Sequence, residues 1–434
     1  MILLIKNRGN QFSRSHSKNR IFYLLFFLIL FALVESFQGT NAAGIIQASS
    51  LGYWPTDNWL TSTPEEQGMD STELNELSEY IETHYSSTID SLIIIRNGYI
   101  VYEEYPSGFN PEKLHVLHSV TKSFVSALIG IAIQRGFINN VSQKVVDFFP
   151  DRLITNLTSL KQAMTLEHLL TMTTGFQWDE WKYPYTDSRN DERRAENSKD
   201  YVQYMLDLPM ESAPGTVWTY CSGASHLLSA IVEEVSNQSS LDFAFDYLFD
   251  PLGITTVSWQ FDSQGIYFGG STLKLKPLDM AKFGLLYLHN GTWDEQQILP
   301  IEWVRKSSST SYHPFSDEYT GYGYQWWTWP FLGDVYYAAG SFGQKIISVP
   351  EHDLVIVFTA DIHEEADIEP VLLYHFILPS VIDETKLAFQ LDQKMLIPLF
   401  GLTLTILPTI VFLMYLRKVR KYYHSLSAKN HERV

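Results

Sequence analysis

Two apolar stretches joined by Asn97-Gly98 set the strongest limit on what this chain can fold into. Asparagine and glycine tolerate positive φ at both central positions of a type I′ turn, whose twist matches that of paired strands. The pattern predicts a β-hairpin of 91–96 and 99–104. A helix pattern runs from Ser119 to about Arg135, and from 141 to 282 the sequence reads as helices and loops, with 166–172, 201–206 and 224–235 as helices. Strand patterns return at 322–328, 335–339, 345–349 and 354–359, and 365–378 closes with a helical period. Strands at both ends around a helical middle predict an α/β (α+β) fold. Its antiparallel sheet is built from both ends of the domain and flanked by helices, with an inserted mainly helical subdomain.

The segments outside that body differ in character. The run 21–34 is uninterrupted and apolar, follows five basic residues, and precedes the small residues Gly39, Thr40, Ala42 and Ala43. It reads as a signal peptide over 1–42, cleaved near Ala42, or as a retained signal anchor. The 22 residues of 395–416 hold no charge and suffice, at about 1.5 Å per residue, for a span of about 30 Å. Pro398 and Pro408 are tolerated in lipid. Basic residues follow at once, which predicts a cytosolic tail over 417–434. The expected organisation is a domain over 43–385, a linker over 386–394, and a C-terminal membrane helix. The localisation implied is a cell membrane, with the domain extracytoplasmic. The sequons at Asn140, Asn156, Asn237 and Asn290 agree with export, and the single Cys221 permits no intramolecular disulfide.

The net charge of −18 understates the acidity of the body. Without the basic leader and tail, 20 basic and 48 acidic residues remain over 21–416, a net −28. Such a surface repels nucleic acid and argues against that partner. It fits either neutral or cationic ligands or a solvated acidic face.

Ser-x-x-Lys occurs three times, at Ser15/Lys18, Ser119/Lys122 and Ser271/Lys274. A serine hydroxyl needs a neighbour that takes its proton, and a lysine three residues on along a helix lies over the same face. Ser15 lies in the basic leader and Ser271 in a Gly- and Pro-flanked loop. Only Ser119 opens an apolar helix pattern, through Val120, Phe124, Ala127, Leu128, Ile131 and Ala132. A helix N-terminus offers free N–H groups to an anionic intermediate. The plain alternative is a helix cap with a solvated lysine.

Two later segments complete a possible acyl-transfer site. In Pro214-Gly215 through Tyr220-Cys221-Ser222, Tyr220 is a phenol that a lysine can hold partly ionised, and Ser222 can point the same way in an extended loop. Ala338-Ala339-Gly340-Ser341-Phe342-Gly343-Gln344 precedes a strand whose edge can aim an N–H at a carbonyl oxygen. Core packing for Tyr220 and a plain β-turn for the second segment are the structural alternatives.

Over 63–380 the sequence resembles the serine β-lactamase-related hydrolases: class C β-lactamases, D-alanyl-D-alanine carboxypeptidases, and related esterases and amidases. Five stretches carry the resemblance in order. They are Ser119-Val120-Thr121-Lys122; Leu169 to Gly175; Pro214 to Ser222; Gly269-Gly270 with Asp279 to Gly284; and Gly340 to Gln344 with Val349-Pro350 and Asp353 to Val357. The resemblance implies Ser119 as acylated nucleophile and Lys122 and Tyr220 as proton shuttles. It implies an oxyanion hole from the N–H groups of Ser119 and Gln344, with no metal and no cofactor. Ser222, Ser341, Gly343 and Trp178 are expected to contact substrate, with Trp178 and Trp181 either lining the acyl pocket or packing in the core. Ser222 replaces the asparagine of β-lactamases, as in the 6-aminohexanoate-oligomer hydrolase branch. Ser341 replaces their lysine, or the histidine of related esterases, and so supplies no charge for a β-lactam carboxylate. The implied substrate is therefore a neutral small-molecule or peptide-like ester or amide. A β-lactamase or carboxypeptidase, or a non-catalytic sensor on the same fold, is the alternative.

Overall fold

The computed structural model describes residues 53–315, 319–363 and 368–382. The expected leader, linker, membrane helix and tail lie outside the described residues, as do 365–367 of the expected closing helix. Among the described residues no helix is long and apolar enough to cross a membrane.

The hairpin forms as the sequence predicts. Strands β1 (Ile89–Arg96) and β2 (Tyr99–Glu104) meet at Asn97 and Gly98, with φ of 51° and 83°. Five late strands follow: β3 (Gly321–Tyr322), β4 (Trp327–Trp329), β5 (Val335–Gly340), β6 (Gln344–Val349) and β7 (Leu354–Ala360). They form one antiparallel sheet in the order β2-β1-β7-β6-β5-β4-β3. The first strand thus lies beside the last, with Leu92 opposite Phe358 and Ile94 opposite Ile356. The stretch 322–328, expected as one strand, is instead a hairpin. Gly323 N–H donates to Trp326 O, and Gln325 at φ 62° turns the chain so that Tyr322 pairs with Trp327.

Strands β1, β6 and β7 are buried on both faces, which explains why they read as continuous apolar runs rather than alternations. Leu92, Ile94, Ile347 and Ile356 pack on one side with Leu74, Leu77 and Ile81 of α1 (Ser71–Tyr85) and with the helical segment 369–380. Ile93, Ile95, Ile346 and Val357 face the other side. There lie α2 (Thr121–Gln134), α3 (Leu166–Leu170), α4 (Asp191–Glu196), α5 (Tyr201–Asp207), α6 (Ser222–Ser236) and α7 (Pro277–Leu288). Burial of each such aliphatic side chain contributes about 1.5–3 kcal/mol. Helix α2 is the centre of this layer: every residue from Thr121 to Ala132 is buried, as an apolar helix with no solvent face requires. Its N-terminus is therefore fixed beside the end of β5.

Candidate active site

Ser119 sits in a single 3₁₀ turn, His118–Val120, that feeds directly into α2. His118 holds φ at 47°, a left-handed conformation that costs a non-glycine residue free energy and often marks functional turns. Lys122 lies one turn on and is fully buried. Its Nζ donates to Ser119 Oγ at 3.0 Å and to the carbonyl of Gly270 at 2.7 Å. It also lies 4.9 Å from the Tyr220 ring centroid. Ser119, Lys122 and Tyr220, about a hundred residues apart in sequence, thus form one cluster. The other described Ser-x-x-Lys pair lacks a helix: Lys274 begins a short strand that pairs with His115–Val116.

The turn after β5 supplies the facing wall. Gly340 approaches so closely that a β-carbon there would lie 2.2 Å from Leu117 O. Ser119, Gly340 and Ser341 border one cavity of about 330 Å³. Gln344 does not reach it. It is fully buried and paired with Gly340 across the β5/β6 ladder, and its Nε2 donates to Ala360 O at 2.6 Å. The turn 341–343 carries the chain back into the sheet before Gln344, so Ser341, and not Gln344, borders the cavity with Ser119. Gly343, at φ 89°, faces Ala360, Ile362 and Glu369 behind that turn.

Ser222 and Trp178 meet at one buried carboxylate. Ser222 is the first residue of α6 rather than part of an extended loop. Its N–H and hydroxyl donate to the two carboxylate oxygens of Glu180, at 2.6 and 2.8 Å. Trp178 is buried, and its Nε1–H donates to the same carboxylate at 2.9 Å; Tyr185 adds a fourth donor at 2.8 Å. Trp181, not Trp178, lines the cavity with Ser119. It is 52% exposed and stacks on Tyr220 at 5.2 Å and 19°. Sequence reasoning missed Glu180 altogether, and an acid set between two tryptophans is the only signal it leaves. Behind it, Glu192 accepts from Tyr201 Oη at 2.5 Å. Burial, reinforced by the charges of Glu180 and Glu196, holds the Glu192 carboxyl well above the usual carboxylate range.

The cavity wall is aromatic, built by Trp181, Tyr220, Phe315, Trp327, Trp329 and Tyr337. The cation on it, Lys345, lies 3.5 Å from the buried Glu369 carboxylate.

A serine with a buried lysine at a helix N-terminus, facing a sheet edge under an aromatic cavity, defines a serine hydrolase. The family model described as Beta-lactamase matches residues 89–372, and the chain belongs to that family. It is 24% identical over 308 residues to the 6-aminohexanoate-dimer hydrolase of Paenarthrobacter ureafaciens, covering 66% of this chain and 75% of that one. A shorter stretch of 101 residues is 30% identical to the lovastatin esterase of Penicillium rubens, covering 22% of this chain and 24% of the esterase. In fold it resembles a putative 6-aminohexanoate-dimer hydrolase from Bacillus anthracis, with a TM-score of 0.59 at 20% identity over 73% of this chain and 82% of that one.

Proposed function

We propose that this serine hydrolase cleaves a neutral ester or amide through an acyl-enzyme on Ser119, with Lys122 and Tyr220 as its acid–base groups. The observation that carries this is the 3.0 Å contact between Lys122 Nζ and Ser119 Oγ beneath the Tyr220 ring. That distance is within reach for proton transfer. As Ser119 Oγ bonds to the acyl carbon, its proton passes to the Lys122–Tyr220 pair. Tyr220 returns it to the departing oxygen or nitrogen as that bond breaks. Water repeats the sequence in reverse and frees the serine. The N–H groups of Ser119 and Ser341 hold the oxyanion, a role supported by the position of Ser341 on the cavity and the burial of Gln344. The pairing of Lys345 with Glu369 and the serine at 341 argue against a β-lactam carboxylate as ligand.

Labelling with a fluorophosphonate, read by mass spectrometry, tests the site. The adduct is expected on Ser119 and absent from Ser119→Ala. No adduct under conditions that label a control hydrolase overturns the catalytic reading, and rapid nitrocefin turnover overturns the substrate preference.

The charge-free run 395–416 and its basic flank support a membrane anchor with the domain outside the cytoplasm. The sequon residues Asn140, Asn156 and Asn237 are exposed, which agrees with glycosylation. A protein released from membranes by alkaline carbonate, with no mobility shift on endoglycosidase treatment, would sink this placement.

A further inference from the structure

A second cavity of about 610 Å³ adjoins the first and shares two residues with it, Trp181 and Tyr220. Ser119 borders only the first. The two cavities differ in chemistry. Rings border both, but among the described residues the first carries one charged side chain, Lys345, whereas the second is bordered by seven of both signs. Two of its three cations are already engaged: Arg189 grips Asp187 through two nitrogens, and Arg194 pairs with Asp191 at 3.1 Å. The third, Lys182, lies 5.6 Å from the Tyr183 ring. Against it stand Asp179, whose Oδ1 accepts only backbone N–H groups, and the exposed Glu211. Among the described residues the Glu211 side chain makes no hydrogen bond or ion pair. Among the described residues Glu180 is a further lining carboxylate with no cation paired to it, so the uncancelled charge of this cavity is negative.

We propose that the second cavity receives the leaving group, and that the substrate joins an apolar acyl group to an alcohol or amine bearing an ammonium charge. This rests on the acid role given to Tyr220 above. A group that returns a proton to the departing atom must touch that atom. The only polar group of that cluster shared by both cavities is the Tyr220 phenol. The acyl carbon therefore stays with Ser119 among the rings, and the departing oxygen or nitrogen leaves past Tyr220 toward Glu211 and Asp179. Trp181 borders both halves and stacks on Tyr220 at 5.2 Å and on Phe315 at 6.0 Å. The acyl half has no comparable charge to satisfy, because Lys345 is matched by Glu369.

Three phenylacetate esters test this on the whole protein: the choline ester, its neutral carbon isostere, and the glycolate ester. All three yield the same phenylacetyl-enzyme, so they share one deacylation rate and differ only in acylation. The choline ester is expected to exceed its isostere in kcat/KM by about tenfold, the order of effect of one partly screened opposite charge, with the glycolate ester slowest. Glu211→Gln narrows the choline-to-isostere ratio and Lys182→Gln widens it. Equal kcat/KM for the three esters, or a preference for glycolate, with Ser119 still labelled by fluorophosphonate, overturns this inference and leaves the hydrolase reading intact. Failure of the fluorophosphonate to label Ser119 overturns the reading beneath it.

Discussion

Glu180 carries a prediction whose size follows from its contacts. Its carboxylate accepts from four donors: Trp178 Nε1–H, Ser222 N–H, Ser222 Oγ and Tyr185 Oη. In Glu180→Ala the two hydroxyls can turn elsewhere, but the two N–H groups are fixed by ring and helix and lose their acceptor inside the protein. Each orphaned donor costs about 1–3 kcal/mol, so the variant is expected to lose about 4 kcal/mol of folding stability. In Glu180→Gln one carbonyl oxygen still serves both N–H donors, and the amide NH₂ meets two hydroxyl oxygens able to accept. Only the charge assistance is lost, at about 1 kcal/mol. Because the Ser222 N–H lies two residues beyond Tyr220, both variants also slow acylation, alanine the more. Urea unfolding of the three proteins, with burst-phase acylation by an activated ester, measures both effects. An alanine variant within 1 kcal/mol of wild type, or indistinguishable from the glutamine variant, would refute the reasoning. Lost stability with unchanged acylation would separate Glu180 from the placement of Tyr220.

Two further outcomes follow from close packing and burial. Gly340→Ala places a β-carbon 2.2 Å from Leu117 O, a backbone atom that cannot move without carrying the Ser119 turn with it; a shift near 1 Å is expected to cut acylation about a hundredfold, and a variant as active as wild type contradicts the close approach. Burial pushes the Lys161 ammonium down to about 8, while its Nζ donates to Leu206 O and Leu208 O at 2.5 and 2.6 Å. The folded value lies below the unfolded one of about 10.4, so between them the unfolded chain binds more protons and stability rises with pH. Wild type is expected to gain up to about 3 kcal/mol on Lys161→Met across that window, and parallel pH profiles for the two proteins would rule this out.

The sheet was legible because its strands are short, apolar and punctuated. Asn97-Gly98 marks the hairpin, the positions of β1, β6 and β7 follow from their β-branched runs, and β5 from its apolar, Tyr-rich stretch. The nucleophile was legible for a different reason. Serine and lysine three residues apart meet only on a helix, and only one of the three matches opens an apolar period. What was not legible depends on contacts across the chain. No local pattern tells that Gln325 turns left-handed and splits 322–328. Its buried amide reaches Leu169 O and Leu170 O, more than 150 residues away in sequence. The helical place of Ser222 was hidden for the same reason, since it is decided by a carboxylate that lies beside Trp181 in sequence and beneath α6 in space. Trp178 and Trp181 are three residues apart and identical in type; only the fold sends Trp178 to Glu180 and the second cavity and Trp181 to the border of both cavities.

The site divides into a part held by backbone and a part built from side chains. Ser119 is positioned by the left-handed His118, by the approach of Gly340 to Leu117 O, and by the buried course of α2. Lys122 is aimed by the carbonyl of Gly270. None of these constraints involves the rings that wall the cavity or the charges beyond Trp181. Substitution at Trp181, Phe315, Lys182 or Glu211 can therefore change which ester or amide fits while leaving the geometry of the nucleophile alone. The converse does not hold: a change at Gly340 or His118 displaces the reacting oxygen itself. Glu180 falls between the two classes, because its carboxylate ties the segment carrying Tyr220 to the segment carrying Trp181. A change there is felt both where the proton is returned and where the two halves of the substrate part.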